Sequence, residues 1–122
     1  MQAVKRQVAD WLSVLNNRDR FAEILFTCEE IYQHFNEYGE NDIRYIIENI
    51  VEILIDIMIH DETSDEIRFS IVSILTKMRP HIKNEGIRRS VFINASNIVA
   101  KYLKSYKKAK LIADLMAAYR PE

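Results

Sequence analysis

A chain of 122 residues with only two glycines and two prolines is one domain with a real core, and it excludes a β-rich fold, which needs many more turn residues. The single cysteine, Cys28, excludes an internal disulfide framework and a zinc knuckle and points to a reducing, intracellular compartment, cytoplasmic or nuclear. Near-neutrality hides a polarity: residues 1–61 hold five Lys or Arg against twelve Asp or Glu, and residues 62–122 hold twelve against six.

Apolar spacing at three and four residues predicts about six helices. The first, near 2–16, puts Val4, Val8, Trp11, Leu12 and Leu15 on one face. The second, near 19–37, sets Phe21, Ile24, Leu25, Cys28, Ile31, Tyr32 and Phe35 in register. Asn17 or Asp19 is expected to cap its start, and Gly39 to end it in a left-handed conformation. The third, near 42–59, confines its polar residues to a stripe at Arg44, Glu48, Glu52 and Asp56, so neighbours must cover it on several sides. These charges also rule it out as a membrane span.

The fourth helix is expected after "HDETSDE", with Thr63, Ser64 or Asp65 as cap and Ile67, Ile71, Ile74, Leu75 and Met78 inward, until Pro80 disturbs it. The fifth, near 85–104, carries Ile87, Val91, Ala95, Ile98, Val99 and Tyr102. A break near Ser105 leads to a sixth with Ile112, Leu115, Met116 and Tyr119. No linker or low-complexity segment interrupts the series, so residues 1–122 read as a single helical domain. "MQAVKRQVADWL" places charges where a secretory signal needs an apolar run, so none is expected.

Three segments echo one another. "NDIRYII", "SDEIRFSI" and "NEGIRRSV" each set a polar cluster before an Ile-Arg pair, at Ile43-Arg44, Ile67-Arg68 and Ile87-Arg88. Physically, the cluster caps a helix, the Ile enters the core and the Arg lies on the rim. Here the chain resembles HEAT or armadillo-type helical repeats, in which an Asp before a Val-Arg or Ile-Arg pair opens a helix. The best match is "ILIDIMIHDETSDEIRFSIVSIL", residues 53–75. Ile43 and Ile87 lie 44 residues apart, near the roughly 40 to 47 of such repeats, whereas the middle copy, 24 and 20 residues from its neighbours, suits one helix per copy. The expected fold is therefore all-α, with about six antiparallel helices in a HEAT-like right-handed stack or in a compact bundle.

Residues that would carry chemistry are sparse. His34, His60 and His81 stand at different helix ends, and no HExxH or paired ExxH spacing is present. Gly39 and Gly86 stand alone, so there is no phosphate-cradling glycine loop. Cys28 sits on an apolar seam, the place of an inert thiol. The expectation is a non-enzymatic domain with no catalytic, metal or cofactor site.

The basic half is the lead toward binding. Ten Lys or Arg and one acid, Glu85, lie between Lys77 and Lys110. "KYLKSYKKAKL" gathers Lys101, Lys104, Lys107, Lys108 and Lys110 behind Arg88 and Arg89, while Lys77, Arg79 and Lys83 occupy the preceding turn. The expected partner-binding residues are Arg88, Arg89, Lys101, Lys104, Lys107 and Lys108, gripping an acidic segment or helix of a protein partner, as in a scaffold or adaptor. The alternative is nucleic acid held through phosphates by the same face, with Tyr102 and Tyr106 as stacking platforms, unless Tyr102 is core. A third arrangement sets the acidic half of one copy against the basic half of another, head to tail. Phe69 is expected to be buried; Phe26, Phe92 and Ile93 either pack between layers or form an exposed docking patch.

Overall fold

The computed structural model describes residues 2–121. Six α-helices follow one another with no strand among these residues: α1 Gln2–Leu15, α2 Phe21–His34, α3 Glu40–Ile59, α4 Asp65–Met78, α5 Glu85–Val99 and α6 Tyr106–Tyr119. Single 3-10 turns extend α2, α4 and α5, at Phe35–Glu37, Arg79–His81 and Ala100–Tyr102. Pro80 explains the middle one, because it lacks the N–H that another α-turn requires.

The helices pair in sequence as α1 with α2, α3 with α4 and α5 with α6, and short connections make each pair an antiparallel hairpin. Across hairpins the odd helices touch in the order α1, α3, α5, and the even helices in the order α2, α4, α6. The result is two layers, three helices deep, with α3 and α4 flanked on both sides. Their sequences suit that position: α3 buries nine residues, from Ile43 to Met58, and α4 seven, whereas α1 buries Val4, Val8, Trp11 and Leu15. Each fully buried Ile or Leu is worth roughly 1.5–3 kcal/mol, so the middle hairpin dominates the core.

Several local expectations give way. Gly39 is extended (φ −71°, ψ 167°) and is the N-cap of α3; it does not end α2 in a left-handed turn. The N-cap of α2 is Arg20, with no side-chain cap, so neither Asn17 nor Asp19 plays that part; the Asn17 carbonyl instead accepts from the Arg20 N–H at 3.1 Å. Phe21, 55% exposed, and Tyr32 lie outside the core despite standing in register with it, because α2 packs chiefly against α4 and α1 and these two side chains fall beyond those contacts. Ser64 and Asn84 do cap α4 and α5, accepting from the N–H groups of Ile67 (3.3 Å) and Ile87 (3.0 Å).

The largest departure is Arg68. Arg44 is exposed and Arg88 half-buried, but Arg68 is only 3% exposed and points inward. Its Nε donates to the Met58 carbonyl at 2.7 Å and its Nη2 to the His60 carbonyl at 2.6 Å, so the guanidinium closes the C-terminal end of α3. The Thr63 hydroxyl donates to the Ile57 carbonyl at 2.7 Å and completes that closure.

Candidate functional site

The structure divides the six expected partner-binding residues between two ends of the α5–α6 hairpin. Arg88 and Arg89 lie near the start of α5, and Lys101, Lys104, Lys107 and Lys108 at its far end and the start of α6. Lys101 lies thirteen residues beyond Arg88 along α5 and the turn that extends it, about 20 Å at 1.5 Å per residue, so the six do not form one patch.

At the lysine end much of the charge is taken up internally. The α5–α6 connection lies beside the α3–α4 connection, whose residues are acidic. Lys101 reaches Asp61 at 3.2 Å and Lys108 reaches Asp65 at 2.8 Å. Asp65 also accepts from the Tyr102 hydroxyl at 2.9 Å and from Arg68 at 3.3 Å. The Lys108 and Tyr102 hydrogen bonds, in that order, hold its carboxyl below the usual carboxylate range. Tyr102 is buried and packs edge-to-face on half-buried Phe69, with centroids 5.1 Å apart, so it is a core residue and no stacking platform. Burial and the bond to Asp65 raise its phenol above the ordinary value. That leaves Lys104 and Lys107, in no ion pair among the described residues, beside Tyr106 at 82% exposure and Leu103 at 70%.

At the other end the arginines meet more of their own kind. Arg88 and Arg89 line a pocket of about 60 Å³ together with Arg79, from the turn after α4, and Arg120, just beyond α6. Glu85, the buried Tyr119 and Pro121 complete it. None of the four arginines forms an ion pair among the described residues. Arg79 is held in place: its Nε donates to the Ala118 carbonyl at 2.7 Å, and its guanidinium carbon stands 5.7 Å from the centre of the Tyr119 ring. The Tyr119 hydroxyl in turn donates to the Leu75 carbonyl at 2.5 Å. One arginine is thus fixed by helix-end hydrogen bonding, and its two terminal nitrogens make no hydrogen bond among the described residues.

Arg120 is the residue that reading the chain missed, because only the fold returns the end of α6 to the start of α5. Arg79 stood in the basic stretch but was separated from Arg88 by Pro80 and a turn, and nothing in the spacing says that the two converge. Lys77, also in that stretch, is spent on α2: it donates to the Tyr32 carbonyl at 2.5 Å and lies 4.2 Å from that ring's centre.

Other clefts carry less. A groove between α1 and α2 is lined by Trp11, Val14 and the 67%-exposed Phe26 together with Asp10, Glu23 and Glu30. Among the described residues no three His, Cys, Asp or Glu side chains converge as a metal site, and no helix is long and apolar enough to cross a membrane. No protein-family model, curated protein or solved structure matches this chain.

Proposed function

We propose that this domain is a non-enzymatic interaction module, a helical-hairpin stack of the HEAT or armadillo kind, that binds an acidic segment of a protein partner through its arginine end. The observation carrying this reading is the convergence of Arg79, Arg88, Arg89 and Arg120 on one pocket with no ion pair to any of them among the described residues. Like charges held together cost free energy unless something negative shares the site, and among the described residues of the pocket a single carboxylate, Glu85, stands against four guanidiniums. Arg88 and Arg89 also stand near the positive end of the α5 dipole, where cations are disfavoured by about 0.3–1 kcal/mol, so helix stability does not account for their placement. The contact order of the layers, odd helix to odd and even to even, is the order that stacked hairpins produce, and it supports the repeat-like reading.

The test is a titration of a fluorescently labelled Asp/Glu-rich peptide, with a Lys-rich peptide as control, at low and near-physiological salt. Binding of the acidic peptide alone is expected, weakening as salt screens the contact, reduced by Arg88→Glu with Arg89→Glu and little changed by Lys101→Glu. Absence of binding at low salt, or equal loss from Lys101→Glu, overturns it. Tighter binding of a single-stranded oligonucleotide than of the acidic peptide would favour nucleic acid on the same face.

A further inference from the structure

Building on the acidic-segment reading, we infer that the arginine pocket is a phosphate site, and that the residue it takes from the partner segment is a phosphorylated serine or threonine. Among the described residues, four guanidiniums line a space of about 60 Å³ against the one carboxylate of Glu85. An Asp or Glu side chain brings one charge and two oxygens. A phosphate monoester brings about −1.5 to −2 and three strong acceptor oxygens at neutral pH, a closer match in charge and in donor count. Guanidiniums are suited to it because their paired N–H groups meet phosphate oxygens two at a time.

The geometry supplies both a fixed and an adjustable part. Arg79 is preorganised by the Ala118 carbonyl and the Tyr119 ring, so its terminal N–H groups lose little freedom on binding. Arg89 and Arg120 are exposed and make no internal side-chain hydrogen bond among the described residues, leaving them free to close over the bound group. Glu85 stands at the same pocket and opposes any anion there; its carboxylate would turn toward the arginines left unfilled or be pushed outward. The pocket takes the phosphate group, and the flanking acidic residues of the segment are left at the rim.

The probe is a synthetic Asp/Glu-rich peptide with one central serine, prepared in three forms: unmodified, phosphorylated, and with that serine replaced by glutamate. Phosphorylation is expected to tighten binding by about tenfold or more, and the glutamate form to recover only a small part of that gain. Arg88→Gln with Arg120→Gln should erase the difference between the phosphorylated and unmodified forms while leaving the melting temperature little changed, since neither side chain makes an internal hydrogen bond among the described residues; Arg79→Gln is avoided because Arg79 also closes α6. Equal binding of the three forms overturns the phosphate site and leaves the acidic-segment reading standing. Binding of none overturns both. An oligonucleotide that displaces the phosphopeptide and binds tighter, with the same arginine dependence, overturns the phosphoprotein assignment in favour of a nucleic-acid backbone.

Discussion

Arg68 and Tyr102, 34 residues apart in sequence, meet in the interior with the guanidinium Nη1 donating to the phenol oxygen at 2.5 Å. The bond joins the first turn of α4 to the turn that ends α5, and Asp65 and Lys108 complete a network linking three helices and two connections. A buried cation of this kind is tolerated because each edge of the guanidinium finds an acceptor: two backbone carbonyls at the end of α3, a carboxylate and a hydroxyl. Arg68 and Arg79 bracket α4 and do parallel work, Arg68 closing the end of α3 and Arg79 the end of α6. The central even helix therefore fixes where its neighbours stop.

Removing the charge at Arg68 leaves the Met58 carbonyl without the buried donor it has in the native state and takes from the His60 carbonyl one of its two donors, the other being the Thr63 N–H. Arg68→Met, which keeps the aliphatic bulk, should cost about 3 kcal/mol of stability, a large share of what a domain of this size has. Arg44→Met, at the matching place in the first Ile-Arg pair but exposed, should change it by less than about 0.5 kcal/mol. Urea denaturation followed by the emission of Trp11, the only tryptophan and a buried one, measures both. Equal effects for the two variants would mean that the network does not hold the hairpins together.

Asp65 makes part of this stability depend on pH. Its folded-state carboxyl is held below the usual range, chiefly by Lys108 and then Tyr102, so the ionised form favours the native state. The contribution is complete above the unfolded value of about 3.9 and is lost as pH falls through that value toward the lower folded one. Its size is modest, under about 1 kcal/mol, because the Asp65 side chain is partly open to solvent. The stability difference between wild type and Asp65→Asn should be constant above about pH 5 and close as pH drops below about 4. A difference that stays constant throughout the acid range would show that ionised Asp65 contributes nothing.

Much of the fold was legible in the chain because helix signals are local. The six helices, the cap at Ser64, one of three candidates there, the interruption at Pro80 and the break at Ser105 depend on a few neighbouring residues, and they stand near where spacing puts them, whereas Phe21 and Tyr32 of the second stripe do not enter the core. The wet stripe of α3 is legible too: Arg44, Glu48, Glu52 and Asp56 are all exposed. Whatever depends on which helix lies alongside was not. Arg68 looked like a rim residue because its acceptors are carbonyls of the preceding helix, which carry no sequence signature. The lysines looked free because their partners, Asp61 and Asp65, lie 40 and 43 residues away. The arginine pocket draws on three separate stretches, and only its Arg88-Arg89 part was visible as a pair.

Cys28 should be chemically silent while the protein is folded. It is fully buried on α2, and burial, with a smaller push from Glu29, raises its thiol to about 12. Almost none of it is thiolate at pH 8, and the reagent has no path to it. Reaction with a chromogenic disulfide should therefore proceed at the rate of unfolding and speed up with urea in step with the Trp11 signal. Labelling faster than global unfolding would place a local opening of α2 below the global transition.

Phe26 and Phe92 separate the two readings open to them in the sequence. Phe92 is half-buried against the core, beside the α5 turn where the Ser96 hydroxyl donates to its carbonyl at 2.9 Å, so Phe92→Ala should cost about 1–3 kcal/mol, short of the 3–5 expected for full burial. Phe26 lies across the outside of the α1–α2 groove at 67% exposure, and its apolar area is already in water, so Phe26→Ala should move stability by no more than about 0.5 kcal/mol. Trp11, which lines the same groove, has its indole N–H buried without an acceptor among the described residues. Because that donor is unsatisfied in the native state, Trp11→Phe should cost less than the 3–5 kcal/mol typical of emptying a Trp site, about 1 kcal/mol. Urea midpoints of the three variants, read by circular dichroism since one lacks the tryptophan, decide the order; Phe26→Ala as costly as Phe92→Ala would place Phe26 in the core.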